Sequence, residues 1–309
     1  MSFSNEVMKK LDHVAGLVEG PFWRRLATRP FKYLYGVGFR QLIYPFRQKG
    51  INAAAITVFG RNLVCLLPGG MDVFLFGAKT HDSEIRLAKF FIRHINDCGQ
   101  FIDVGAHIGY FSLLADAIAK AEHVQSDIYS IEPASRSFEL LKKNTAAFES
   151  IHPFHIALND ESGTTAYYEL PDKYAEYNSM DVKQYEGTEW FQKIRLKKTE
   201  VESLTLDALI EREKISPTLI KVDVEGAEYR VIKGALKSLA AFHPIIVMEF
   251  LEDDKRNAEH RKAHALLLRQ QYHPFFINAN GATNACEDPL IYLQQKNLDS
   301  DNIVYRWGA

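Results

Sequence analysis

Asp103, Gly105 and Gly109 stand in a D-x-G-x-x-x-G spacing where the apolar stretch FIDVG (101–105) gives way to YFSLLADAIAK (110–120). A glycine turn between a strand and a helix lets backbone approach a ligand closely and aims helix amides at it. The dinucleotide fingerprint would need G-x-G-x-x-G, and a phosphate loop G-x-x-x-x-G-K-[ST]. Neither is present: Gly77-Ala78-Lys79-Thr80 lacks the first glycine at the required offset. A second apolar stretch, DIYSIEP (127–133), ends in Glu132-Pro133. In an αβ unit an acid at that strand end reaches a ribose, because one carboxylate accepts from both hydroxyls of a diol. The two strand ends together point to a ribose-bearing cofactor.

These residues need a scaffold of alternating strands and helices. Apolar spacing predicts an amphipathic helix over 5–18 and short strands at 54–60, 62–68 and 71–77. A helix over 81–97 follows, with Asp82 or Ser83 as its cap. Beyond it strands are predicted at 101–105, 127–133, 152–158, 218–226, 244–250, 273–278 and 302–307. Helices are predicted at 110–120, 135–148, 203–213, 229–242 and 255–271. Such alternation implies a parallel, doubly wound sheet with the ligand at the strand carboxyl ends.

The ordered segments FIDVGAHIGYFSLL (101–114), IEPASRSFELLKKN (131–144), HIALNDESGT (155–164), SLTLDALI (203–210), IKVDVEGAEYRVIKGA (220–235) and IVMEF (246–250) resemble the FkbM-type, S-adenosylmethionine-dependent methyltransferases. With HDSEIRLAKFF (81–91), the resemblance covers about residues 80–250. It implies a class I methyltransferase fold: a Rossmann-like α/β sheet of about seven strands, mostly parallel, the last antiparallel. It implies S-adenosyl-L-methionine as cofactor. Asp103, Gly105, Ala106 and Gly109 would line its methionine end, with His107 and Tyr110 of the same turn. His107 stands where the family usually has Asn. Glu132 would hold the ribose beside Pro133, Ala157 and Leu158 would flank the adenine, and Glu84 would reach the same pocket.

Asp223, Glu225 and Glu228 form the family's D-x-E-G-x-E run after strand four, which lies beside strand one in this fold. Methyl transfer to oxygen is an in-line displacement that must align donor and hydroxyl and remove a proton. A carboxylate there can take that proton, or bind a divalent cation that lowers the hydroxyl pKa. Asp223 is the preferred base or orienter and Glu249, at the end of strand five, the second candidate. Glu225 and Glu228 read equally well as acids facing a helix amino terminus. Lys221 is expected to pair with a nearby acid. His260 and His264, at i, i+4 with no third ligand, read as a solvated helix face rather than a metal pair, and His81 as a cap or surface residue rather than a base.

Between strand three and helix 203–213 lies an aromatic insertion (160–200) carrying Tyr167, Tyr168, Tyr174, Tyr177, Tyr185, Trp190 and Phe191. The resemblance implies a variable hairpin here with small polar residues like Asn178 and Ser179, and aromatic faces with nearby amides suit sugar rings. Tyr177, Asn178, Ser179 and Glu225 are therefore the acceptor candidates, against the alternative of a hairpin burying its own tyrosines. The expected acceptor is a hydroxylated small molecule or glycan. The rivals are an RNA methyltransferase, a non-catalytic member of the fold and a nicotinamide oxidoreductase.

The net charge of −2 hides a split. Between Gly20 and Met71 there is no acid, and Arg24, Arg25, Arg29, Lys32, Arg40, Arg47, Lys49 and Arg61 give +8. Residues 1–19 carry −1, so the total requires −9 from Asp72 onward. The expected organisation is a helical basic arm (1–50), a β-hairpin extension (51–79) and a methyltransferase domain (80–309). Arginines among aromatics suit peripheral contact with a membrane or glycolipid through residues 20–71, with homodimerisation as the alternative. No base-reading module is recognisable, so nucleic acid is disfavoured. Composition is that of a globular protein, 47% apolar and 25% charged. No apolar run approaches the ~18 residues of a membrane helix. Cys65, Cys98 and Cys286 are too dispersed for a disulfide framework. With no signal-peptide pattern, a reducing, cytoplasmic setting is expected, at most peripheral at the inner face of a membrane.

Overall fold

A computed structural model describes residues 2–95, 99–182, 185–252 and 258–308. Eight strands form the main sheet: β3 (Gln100–Val104), β4 (Asp127–Ile131), β5 (Ile151–Phe154), β9 (Leu219–Val222), β10 (Ile245–Leu251), β11 (Tyr272–Ile277), β12 (Thr283–Ala285) and β13 (Ser300–Trp307). Their spatial order is β12-β11-β13-β10-β9-β3-β4-β5. Strands β5, β4, β3, β9 and β10 are parallel, and β13 inserts antiparallel between β10 and β11. This is the expected class I methyltransferase sheet, with β12 as a short additional edge strand.

Period-two alternation builds two cores. Phe101, Leu219, Val247 and Val304 face one apolar cluster, while Ile102, Ile220, Ile246 and Ile303 face the other. The first cluster is covered by α1 (Phe3–Glu19), α6 (Asp82–His94) and α7 (Tyr110–Ala121), and it also takes Phe59, Leu63 and Leu67 from the hairpin β1 (Ile51–Ile56) and β2 (Asn62–Leu67). The second is covered by α9 (Leu206–Glu213), α10 (Glu228–Lys233), α11 (Leu236–Phe242) and α12 (Ala258–Arg269). The amino-terminal segment continues as α2 (Phe22–Thr28), α3 (Pro30–Gly38), a π-helical turn at Phe39–Ile43 and α4 (Tyr44–Arg47).

Several local expectations give way. Residues 71–77 are not a strand: Met71–Phe76 is helix α5, closed by Gly77 in the left-handed region at φ 74°. A six-residue apolar run reads either way by period, and here Gly77 supplies the helix stop. His81, not Asp82 or Ser83, is the cap residue of α6, and its side chain does not cap; its Nδ1 lies 2.7 Å from Ser83 Oγ. The predicted strand 152–158 splits, and Ala157–Leu158 becomes β6, paired with β8 (Lys197–Leu204) in a second sheet with β7 (Gly163–Glu169). Ser203 and Leu204 thus belong to β8, and Thr205 caps α9 by accepting from the Ala208 amide. The helix over 229–242 breaks at Gly234, whose carbonyl accepts from the Asp207 amide at 2.9 Å instead of continuing the ladder. α8 (Ser135–Thr145) follows expectation, and α13 (Pro289–Lys296) was not anticipated. Residues 96–97 and 255–257 of two predicted helices, and Cys98, lie outside the described residues; Cys65 and Cys286 are free and buried.

Candidate active site

Strand register does the first positioning. Val104 pairs with Ile131 and Val222, and Val222 with Met248. The next residues, Gly105, Glu132, Asp223 and Glu249, therefore stand side by side on one sheet edge, and a cavity of about 710 Å³ opens over them. Gly105 sits at φ 79°, and a Cβ there would run into the Asp223 carbonyl. Only glycine lets the first turn lie this close to strand β9.

Glu132 organises that turn. Its Oε2 accepts from the His107 amide and its Oε1 from the Ala134 amide, both at 2.8 Å. This turn amide is therefore spent on the carboxylate rather than on a ligand. A carboxylate has about four lone-pair sites, so two remain for a diol in the cavity. Burial pushes Glu132 up to about 7 against these two amides. The His107 ring lines the cavity, burial lowers its pKa to about 4, and its Nε2 is buried with no hydrogen-bond partner. It is a neutral polar group turned toward the space a ligand would fill.

The acids on the far side are differentiated. Lys221 Nζ lies 3.0 Å from Asp223 Oδ2 and 3.6 Å from Asp103 Oδ1. Burial alone would raise Asp223, but Lys221 and then Lys79 outweigh it and hold it below the usual carboxylate range. Glu249 has no such partner, and burial followed by the charges of Asp223 and Glu228 pushes it up to about 8. Glu225, in the left-handed region at φ 55°, is pushed well up by burial and Glu249, and its Oε2 accepts from the Tyr185 hydroxyl at 2.7 Å. One carboxylate oxygen each from Asp223, Glu225 and Glu249 lies within 4.8 Å of the others, a set of hard oxygen donors suited to a divalent cation.

Of the residues singled out from sequence, Glu84, Gly105, His107, Glu132, Pro133, Ala157, Leu158, Tyr177, Asn178, Asp223, Glu225 and Glu249 line this one cavity. Asp103, Ala106, Gly109, Tyr110 and Ser179 stand behind its wall. Asp103 is buried, accepts from Ser112 Oγ at 2.6 Å and pairs with Lys221, so it acts through that lysine. Gly109 begins α7, and Tyr110 packs on Phe59. Ser179 Oγ donates to the Glu225 carbonyl at 2.6 Å, tying the insertion to the acidic loop. Glu228 also turns away: its Oε1 accepts from the Val224 and Gly226 amides at 3.3 Å, which fixes that loop. The solvated face expected for His260 and His264 is overturned. His260 is 1% exposed beside Glu228, and His264 Nδ1 lies 3.1 Å from the Tyr305 hydroxyl. Both belong to the stripe of α12 that packs on the sheet.

Sequence reasoning missed Lys79 and Glu176. Lys79 Nζ bridges Glu84 at 3.2 Å and Glu176 at 3.1 Å on the cavity wall. In the sequence Lys79 stands only in an incomplete phosphate-loop pattern, and no spacing links it to an acid 97 residues away. In the insertion, Tyr174 stacks on Trp190 at 4.7 Å, and Tyr185 contacts Tyr177 at 5.7 Å and Trp190 at 5.5 Å. The aromatics do pack on one another, yet Tyr167, Tyr174, Tyr177 and Tyr185 still present atoms to the cavity.

With this geometry in place, a model of the methyltransferase FkbM domain matches residues 103–274. The chain belongs to the FkbM methyltransferase family. No curated protein matches it. Among solved structures it is similar to the FkbM methyltransferase of Methylobacillus flagellatus KT, at 16% identity and TM-score 0.41, over 68% of this chain and 44% of that one. It thus spans less than half the length of that protein. It is similar to the O-methyltransferase of Bacillus cereus in complex with SAH, at 11% identity and TM-score 0.39, over 71% and 79% of the two chains. The fibrillarin of Aeropyrum pernix with natively bound S-adenosyl-L-methionine gives 10% identity and TM-score 0.36, over 72% and 74%. In the family's D-x-E-G-x-E run, Asp223 and Glu225 face the cavity here, and Glu228 holds the loop.

Proposed function

We propose that this FkbM-family protein transfers a methyl group from S-adenosylmethionine to a hydroxyl of a sugar-bearing acceptor. The observation that carries the reading is the placement of two groups in one cavity: Glu132 with unused acceptor positions at one end, and Asp223, 3.0 Å from Lys221 Nζ, beside Glu249 at the other. The residues fit the cofactor. Glu132 keeps free acceptor sites, His107 Nε2 is a buried polar atom with no partner on the cavity wall, and Ala157 and Leu158 offer an apolar slot beside Pro133 for a base. Bound there, the cofactor supplies an electrophilic methyl group.

The chain's own residues do the rest. Asp223, held ionised by Lys221, accepts the hydroxyl proton, and paired groups with divergent pKa values are the usual basis of such a division of labour. Glu249 stays protonated and donates a hydrogen bond to the acceptor. Tyr177 and Asn178, with Tyr174, flank the acceptor side and suit a sugar ring. A divalent cation on Asp223, Glu225 and Glu249 is the alternative use of the same oxygens, and it would have to displace the Glu249 proton. Turnover that survives EDTA favours the base; turnover lost to EDTA and restored by Mg²⁺ favours the cation.

The test is transfer of label from methyl-tritiated S-adenosylmethionine into glycan and glycolipid extracts, followed by mass spectrometry for a gain of one methylene. Calorimetry with the cofactor alone runs beside it. Glu132→Ala should bind about ten- to hundredfold more weakly, since it loses charge-assisted hydrogen bonds. Unchanged affinity in that variant would remove Glu132 from the cofactor site.

A further inference from the structure

The amino-terminal arm inverts the usual surface pattern. Its inner side is fastened to the body: a Cβ at Gly36 would strike Met71 Sδ, Phe39 and Tyr44 are buried, and the Tyr44 hydroxyl accepts from the Lys173 amide at 3.1 Å. Its outer side is apolar too. Phe31 is 85% and Phe46 88% exposed, and Phe22, Trp23, Leu34 and Leu42 are each more than half exposed. So many exposed large apolar side chains within one short segment are unusual for a monomeric soluble protein.

The charges around this face are equally one-sided. No acid occurs between Gly20 and Met71. Arg61 is used internally, against Asp116 at 2.7 Å. Arg24, Arg25, Arg29, Arg40, Arg47 and Lys49 make no ion pair among the described residues. A cleft of about 820 Å³ beside α2 and α3 carries Lys9, Arg25, Arg29 and Lys32 on its lining; its one acid, Glu6, is paired with Lys10 at 2.7 Å, and Arg25 Nε is buried with no acceptor.

We propose that residues 22–47 form a face that docks on an anionic phospholipid bilayer without crossing it. No helix among the described residues is long and apolar enough to cross a membrane: α2 has 7 residues, and the helical run from Pro30 through the π-helical turn to Arg47 is interrupted by the charges of Lys32, Arg40 and Arg47. Short helices with large apolar side chains and a surround of arginines lie in the interface, apolar groups among the acyl chains and cations at the phosphates. Charge selects this occupant over a second copy of the chain, since a two-fold contact would oppose two cationic faces with no acid of the segment between them. Aliphatic side chains such as Leu34 and Leu42 favour lipid over nucleic acid, which rewards stacking.

Arg40 belongs to both the arm and the wall of the catalytic cavity. Docking therefore brings the cavity toward the lipid–water boundary, where a glycolipid presents its sugar. That last step rests on the reading of the cavity as a methyl-transfer site, whereas the docking itself does not.

The test is co-sedimentation of the full chain with vesicles of phosphatidylcholine alone and of phosphatidylcholine mixed with phosphatidylglycerol. The chain should pellet with the mixed vesicles, less so at high salt, and stay in solution with the neutral ones. The triple variant Phe31→Ser, Leu42→Ser, Phe46→Ser should partition at least about tenfold more weakly with an unchanged circular-dichroism spectrum. Equal pelleting of the variant overturns the proposal. So does a wild-type dimer in light scattering that becomes monomeric in the variant without any vesicle binding, which assigns the face to a second copy. Salt-sensitive retention of RNA with no vesicle binding overturns it in favour of nucleic acid. Cofactor calorimetry on the same samples reads the cavity separately, so either reading can fail alone.

Discussion

Asp223 and Glu249 are carboxylates on one sheet edge, and their surroundings drive them apart. Lys221, buried between Asp103 and Asp223, gives Asp223 a cation that Glu249 lacks. The consequence for stability has a definite sign. Glu249 titrates near 8 when folded and near 4.5 when unfolded, so the folded protein holds an extra proton across that window and loses stability as pH rises through it. Glu249→Gln removes the penalty. Thermal melts should show the variant above wild type by a few degrees at about pH 9 and level with it at about pH 4, below the unfolded value. A constant difference at both values would mean that Glu249 does not carry the raised pKa. At this scale the sequence was legible where chemistry sits in a contiguous motif, as for Gly105, Glu132 and Asp223. It was not legible for Lys79 with Glu176, because an ion pair across 97 residues depends on folding that no spacing encodes.

Elements set the distances between those residues. The turn after β3 approaches β9 because Gly105 has no side chain, so Gly105→Ala must push the Asp223 carbonyl away while also straining a positive φ. The variant should melt lower, by at least about 1 kcal/mol of stability, and lose cofactor affinity. Wild-type calorimetry and melting in Gly105→Ala would show that the close approach is not required. The long elements could be read from period because both faces of the sheet are buried. The failures fall where a local feature competed with period: Gly77 closing Met71–Phe76 as a helix, and Gly234 giving its carbonyl to Asp207 and so dividing α10 from α11. The split of β5 from β6 is of the same kind, since Ala157 and Leu158 find their partners in β8.

The whole molecule is held around the site by a few buried polar ties. Arg86 of α6 donates through Nη1 to Asp301 of β13 and to the Ile277 carbonyl at the end of β11, each at 2.7 Å, and Asp301 is fully buried. Arg86→Met would strand that carboxylate without its cation, and chemical denaturation should register a loss of about 3–5 kcal/mol. A loss below about 1 kcal/mol would mean that Tyr292, whose hydroxyl also reaches Asp301 at 2.8 Å, is sufficient. At this scale the charge split was visible in composition, but the cavity wall contributed by Arg40 and Tyr174 was not, because the arm and the insertion meet only in the fold. On the proposed reading, Asp223 serves transfer and not cofactor binding. The most direct test measures Asp223→Asn twice, by calorimetry with S-adenosylmethionine and by tritium transfer into the acceptor extract. Affinity should stay within about threefold of wild type while transfer falls by at least about a hundredfold. Undiminished transfer in that variant would contradict the account.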